Sequence, residues 1–266
     1  MSGQPHSREE LLGLFADYVG EEYVEDVVKQ LGEVRRDGFR IPDKVLIVLF
    51  ASRSGSNYLG QLLSSTGWFR EIGESFAPHQ LKKIRERYGL ADVHDAAQWM
   101  IDNRGTPEAF GFKAGFAVLM AAAELGVLPE LIDRAQLILL RRRDRVAQAI
   151  SLVKSQLTGR THSGQQLKVE VSDRDYDADA IAFQHWLIGE RDAQFADLAA
   201  KLEKQAPTFY YEDICAAPLE HVTRACDLLG LEVPADYRPN VRVEILRDDL
   251  SARWAERFRS ERGVAA

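Results

Sequence analysis

Six consecutive apolar residues, Val45-Leu46-Ile47-Val48-Leu49-Phe50, run almost directly into the polar turn Ser52-Arg53-Ser54-Gly55-Ser56-Asn57. An unbroken, β-branched run of this length reads as a central strand of a parallel sheet, covered on both faces. After the turn, Tyr58, Leu59, Leu62 and Leu63 share one helical face over Asn57–Thr66, and Gly67 ends that helix. A buried strand, a glycine-containing turn and an amphipathic helix follow one another in that order.

The pattern continues along the chain. Ala109–Ala114 and Gln136–Leu140 read as further strands, each followed by a helix, Phe116–Leu125 and Arg145–Leu157. Thr158–Ser172 is polar and reads as a loop. Ala178–Lys204 is a long helix, and Trp186 is expected in its packed face. Thr208–Tyr211 is a short strand, and Leu219–Leu229 and Ser251–Ser260 are helices. Strands alternating with helices predict an α/β fold of three layers around a mostly parallel sheet. Ahead of it, Ser7–Arg36 carries Leu11, Leu12, Phe15, Val19, Tyr23, Val27, Val28 and Leu31 at helical spacing. We therefore divide the chain into a helical extension, 1–42, and one large domain, 43–266. The extension is expected to pack on the domain, with a homodimer through it left open.

The bulk properties narrow the classes of function. A formal net charge of -7 over 266 residues argues against a nucleic-acid or anionic-membrane partner. No apolar run approaches a membrane span, and no basic-then-apolar leader opens the chain. Together with only two cysteines, Cys215 and Cys226, this gives the expectation of a cytoplasmic protein. The six histidines show no metal-ligand spacing.

An anionic ligand of such an acidic chain must be held by local positive charge, and two segments offer it at strand ends, where open α/β sheets bind ligands. In the first turn, Gly55 permits close backbone approach, the start of the helix presents N–H groups, and Arg53, Ser54, Ser56 and Asn57 add charge and donors. The turn lacks the G-x-x-x-x-G-K-[ST] pattern and its lysine. In the second segment, Arg141, Arg142, Arg143 and Arg145 close the third strand, and Ser151 follows eight residues after Arg143. Taken singly, a capped turn and a solvated charge run explain them as simply. Taken together, they suit one ligand phosphorylated at two places.

These residues resemble the 5'-phosphosulfate loop (Ser52-Arg-Ser-Gly-Ser56) and the 3'-phosphate motif (Arg143 to Ser151) of sulfotransferases that use 3'-phosphoadenosine 5'-phosphosulfate (PAPS). The chain is most similar to the bacterial trehalose-sulfotransferase-like family. Gly73-Glu74-Ser75-Phe76, Gly111-Phe-Lys113, Thr158-Gly159-Arg160, Tyr176-Asp177, Tyr211-Glu212-Asp213 and Trp254-Ala-Glu-Arg-Phe258 carry that likeness over Val45 to Arg259. It departs at Asn57, where a threonine is common, and in the stretch Gln165–Tyr176.

The resemblance implies a P-loop-NTPase-like sulfotransferase fold and transfer of a sulfuryl group from PAPS to a hydroxyl of a small-molecule, sugar or lipid-linked acceptor, with no metal. It implies catalytic roles for Arg53 as a cation at the leaving oxygen, Glu74 as base and Lys113 at the sulfonate or the acceptor. His79 is the alternative base. Arg53, Ser54, Gly55, Ser56, Asn57, Arg143, Ser151 and Tyr211 would hold the nucleotide, and Arg247 could reach it or the acceptor from the tail. A phosphate-loop kinase and a non-catalytic nucleotide-binding protein are the competing readings.

Overall fold

A computed structural model describes residues 6–35, 37–159, 170–242 and 248–264. Arg160, Arg247 and most of the expected loop after Thr158 lie outside the described residues.

Four strands, β1 (Lys44–Phe50), β2 (Ala109–Ala114), β3 (Ala135–Arg141) and β4 (Thr208–Tyr210), form one sheet in the order β2-β1-β3-β4. All three pairings are parallel. Each strand's carboxyl end therefore opens on the same edge of the sheet, and the β1, β2, β3 and β4 exits are neighbours there.

The apolar run of β1 is divided between two cores, as a period of two requires. Val45, Ile47 and Leu49 enter one cluster, and Leu46, Val48 and Phe50 enter the other. The first core is roofed by α1 (Arg8–Val19), α2 (Glu21–Leu31), α4 (Pro78–Tyr88), α5 (Val93–Arg104), α6 (Phe116–Glu124) and α7 (Val127–Arg134). The second is covered by α3 (Ser56–Ser64), α10 (Tyr211–Ala216) and α11 (Pro218–Leu228). The three-layer α/β architecture expected from the sequence is present.

The long helix α9 (Ala178–Lys201) bridges two clusters. Phe195, Leu198 and Ala199 join the first core, while Ile181 and Ile188 join a third with α8 (Arg145–Thr158) and α12 (Asp249–Arg262). Trp186 is a correction: it lies 56% exposed on the outer face of α9, beside Phe183. The buried face of this helix is set by Ile181, Gln184 and Ile188, and Trp186 falls off that stripe.

The first two helices share the large core. Leu11, Phe15, Val24, Val27 and Leu31 are buried in it, and Arg8 pairs with the buried Glu124 of α6. Helices α4, α5, α7 and α10 come in addition to those expected from the sequence. Tyr211, expected to end the fourth strand, instead opens α10. Among the described residues no helix is long and apolar enough to cross a membrane.

Candidate active site

The turn after β1 is built around two left-handed residues. Gly55 has φ 92° and caps α3, and Arg53 has φ 66°, a conformation rarely adopted by a residue with a side chain. Gly55 is required for a second reason: a Cβ there would lie 2.2 Å from Cδ2 of Tyr211. The Tyr211 ring thus packs directly on the turn from the start of α10. The first backbone bond of α3 runs from Tyr58 N–H to Gly55 O, so the N–H groups of Ser56 and Asn57 precede the helical ladder.

Of the expected site residues, Ser151, Lys113 and Tyr211 meet this turn, and Glu74 meets Lys113. Arg53 Nε donates to Ser151 Oγ at 2.9 Å, joining the first loop to the helix after β3. One turn earlier on α8, the buried Gln148 donates from Nε2 to Ser52 O at 2.8 Å. From β2, Lys113 Nζ donates to Ser56 Oγ at 3.3 Å and to Asn57 Oδ1. Its ammonium also lies 3.6 Å from Glu74 Oε1 and over the Phe50 ring. Lys113 is buried, and burial pulls its pKa below the ordinary lysine value, with Glu74 acting in the opposite direction.

Glu74 reaches this position because the segment before it joins the edge of the sheet. Gly73 bridges Phe112 in parallel, and Lys113 N donates to Gly73 O at 3.0 Å. His79 is elsewhere: it sits at the exposed start of α4 and contacts Gln80. The structure therefore brings Glu74, and not His79, to the lysine.

Arg143 stands two residues beyond the end of β3. Its guanidinium forks onto both Asp213 oxygens and lies 4.0 Å from the Tyr210 ring centroid. Its N–H and that of Asp144 donate to Glu212, at 3.1 and 3.3 Å. In this arrangement Ser151 is bonded to Arg53, while the Arg143 side chain is engaged with the start of α10. Asp144 caps α8 through Ala147 N and receives Arg259 from α12 at 2.8 Å.

A model of the Stf0 sulphotransferase family matches residues 121–261, a little over half of the chain. The chain belongs to the Stf0 sulphotransferase family. Membership supports an enzyme of sulfuryl transfer. The matched span contains Arg143, Ser151 and Tyr211; Arg53 reaches it from outside through Ser151, while Lys113 and Glu74 meet the turn that carries Arg53. Two solved structures are similar to this Stf0 family member. One is the sulfotransferase domain of the Synechococcus PCC 7002 olefin synthase, at 16% identity over 85% of this chain and 98% of that one, with a TM-score of 0.46. The other is a sulfotransferase from Alicyclobacillus acidocaldarius, at 17% identity over 85% and 98%, with a TM-score of 0.48. Among curated proteins none matches.

Two buried donors of this sulfotransferase-family site bear on what it can hold. Ser54 is fully buried, and its Oγ has no hydrogen-bond partner among the described residues. Nor has Arg142 Nε, whose nearest carboxylate is Glu212 at 3.9 Å and whose guanidinium faces the Tyr211 ring. An unpaired buried donor costs roughly 1–3 kcal/mol, a cost that anionic oxygens within reach would remove. The donor set, the side chains of Arg53, Lys113, Arg142 and Arg143 with the hydroxyls of Ser54 and Ser56 and the start of α3, suits an anion with two charged ends.

Arg142 and Gln148 were not assigned roles from the sequence. Gln148 was legible in principle, since it lies three residues before Ser151 and so shares its helical face. Arg142 was hidden in an arginine run whose members could not be told apart without the backbone. One other cluster, Asp92, His94 and Asp95, has the proximity of metal ligands, but Arg35 occupies it and pairs with both aspartates.

Proposed function

We propose that this chain is a PAPS-dependent sulfotransferase acting on a hydroxyl of a small-molecule, sugar or lipid-linked acceptor. The observation that carries the reading is the meeting of Arg53 and Ser151, which joins the two anion-binding segments at one sheet edge. PAPS, when bound, supplies an activated sulfuryl group on a nucleotide leaving group.

The chain's own residues supply the rest. The turn 52–57 and the start of α3 hold the end that carries the sulfuryl group, through Ser54, Gly55, Ser56 and Asn57. Arg143 and Ser151 hold the second phosphate, with Arg143 exchanging Asp213 for it. Tyr211 gives the nucleotide an aromatic wall beside Gly55. Arg53 and Lys113 place positive charge where the leaving oxygen becomes anionic. Glu74 accepts the proton of the acceptor hydroxyl as that oxygen bonds to sulfur, and the bond from sulfur to the phosphate oxygen breaks.

Transfer of label from a radiolabelled PAPS to a panel of hydroxyl acceptors tests this reading. We expect labelled product with the wild-type chain and loss of turnover in Glu74→Gln, with unchanged binding of adenosine 3',5'-bisphosphate. No transfer to any acceptor, with the bisphosphate bound, would make the chain a nucleotide-binding protein. Full activity in Glu74→Gln would move the base role elsewhere.

A further inference from the structure

Glu74 lies on a short strap, 70–75, whose own fastening is unusual. Both ends of one arginine hold it. The Arg104 carbonyl, at the end of α5, accepts from Arg70 N at 2.9 Å and from Glu71 N at 3.1 Å. The Arg104 guanidinium returns to the same strap, pairing with Glu71 Oε1 at 3.1 Å and reaching Ser75 Oγ at 3.4 Å. Ser75 is fully buried, and the Arg104 side chain is only 11% exposed. The guanidinium therefore spans Ile72, Gly73 and Glu74 from one side, gripping Glu71 before them and Ser75 after them.

Gly73 records how tightly. A Cβ at that position would lie 2.8 Å from Arg104 Nη1 and 2.9 Å from Glu71 Oε1, so the ion pair closes over the bare backbone. On its other side Gly73 receives Lys113 N at 3.0 Å. The strap is thus clamped between β2 and the arginine. Glu74 is the residue left to face the Lys113 ammonium.

We infer that Arg104 is a positioning residue for sulfuryl transfer: its guanidinium, bridging Glu71 and Ser75 across Gly73, fixes the direction of the Glu74 carboxylate. The inference rests on the base role given to Glu74 above. Because the Arg104 carbonyl, Lys113 N and Ala77 N hold the strap's backbone whatever the Arg104 side chain, removal of the guanidinium leaves the strap attached and releases only the Glu71 and Ser75 side chains that flank Glu74. Displacement of a reacting group by about 1 Å costs on the order of 100-fold in rate.

The test compares Arg104→Ala, Arg104→Lys, Gly73→Ala and Glu74→Gln by steady-state kinetics, bisphosphate affinity and thermal melting. Arg104→Ala is expected to lower kcat by about 10–100-fold while KM for PAPS and bisphosphate affinity stay within about twofold. Lysine keeps the charge without the fork and should recover only part of the loss. Added guanidinium ion should raise kcat of the alanine variant and leave wild type unchanged. Gly73→Ala displaces only the flexible ends of two side chains and should reproduce the kcat loss in a folded protein, which decides the matter if Arg104→Ala does not fold. Unchanged kcat in Gly73→Ala and in any folded Arg104 variant, with Glu74→Gln inactive, would overturn the inference alone. Full activity of Glu74→Gln would instead overturn the reading on which it stands.

Discussion

Arg53 and Ser151, 98 residues apart in the chain, meet in a 2.9 Å hydrogen bond that closes the turn after β1 against the helix after β3. Arg53 makes this contact from a left-handed backbone, φ 66°. A residue with a side chain held there stores about 1–2 kcal/mol of strain.

Position 53 should therefore separate stability from activity. Arg53→Ala keeps the strained backbone and loses the guanidinium. Arg53→Gly loses the guanidinium and relieves the backbone. Both variants are expected to lose about 100–1,000-fold in kcat. The glycine variant should be the more stable of the two, by roughly 0.5–1 kcal/mol in urea unfolding. Equal stabilities, or an active glycine variant, would count against the strained, charge-bearing role.

Gly55→Ala is expected to damage the fold as well as the site. The added methyl meets the Tyr211 ring at 2.2 Å and the backbone sits at φ 92°. A cost of roughly 2–4 kcal/mol follows from overpacking together with a left-handed L-residue. Denaturant unfolding of Gly55→Ala, with Gly55→Ala/Tyr211→Ala beside it, measures the two parts. The double variant should regain the packing share and not the backbone share.

How much of this was legible in the sequence follows from what each signal encodes. The strand β1 and its turn were readable because burial on both faces leaves an unbroken apolar run, and β2 and β3 followed the same logic. Helices α4 and α5 are weakly marked, since α4 buries only Pro78, Leu81 and Ile84 among charged residues, although Asp92 caps α5 and Gly89 closes α4. The approach of the turn after β1 to the segment after β3 was inferable from strand ends; the direct bond from Arg53 to Ser151 was not. The engagement of Arg143 by Asp213 was not, because it depends on how β4 turns into α10.

Lys113 gives the site a pH signature. In the proposed reaction its ammonium offsets charge on the leaving oxygen and must be protonated to do so, and burial, opposed by Glu74, lowers its pKa below the ordinary value of 10.5. Activity should fall as pH rises through that depressed value, so the alkaline limb of kcat lies below the normal lysine range. Lys113→Arg keeps its charge throughout, and its profile should lack the limb. A limb at the same pH in both proteins would assign it to another group.

Asp192, on α9 behind the end of β3, gives a stability signature, with its pKa shifted in the opposite direction to that of Lys113. Burial pushes its pKa up to about 6, against the pull of Arg141 and Arg145. Between the unfolded carboxyl range and pH 6 the folded protein holds a proton that the unfolded chain has lost, so this group's contribution to stability falls as pH rises through that window. Asp192→Asn should stabilise the protein above pH 6 by on the order of 1–2 kcal/mol after discount for solvent screening, with the gain vanishing below about pH 4. Thermal melts of the two proteins from pH 4 to about 8 check the sign.

Calorimetric titration with adenosine 3',5'-bisphosphate, with ATP as the control, tests the central claim most directly. The two-segment site predicts binding of the bisphosphate and far weaker binding of ATP, with about tenfold loss of bisphosphate affinity in Ser151→Ala and a larger loss in Arg143→Ala. Equal affinity for ATP, or a bisphosphate affinity indifferent to both substitutions, would contradict it.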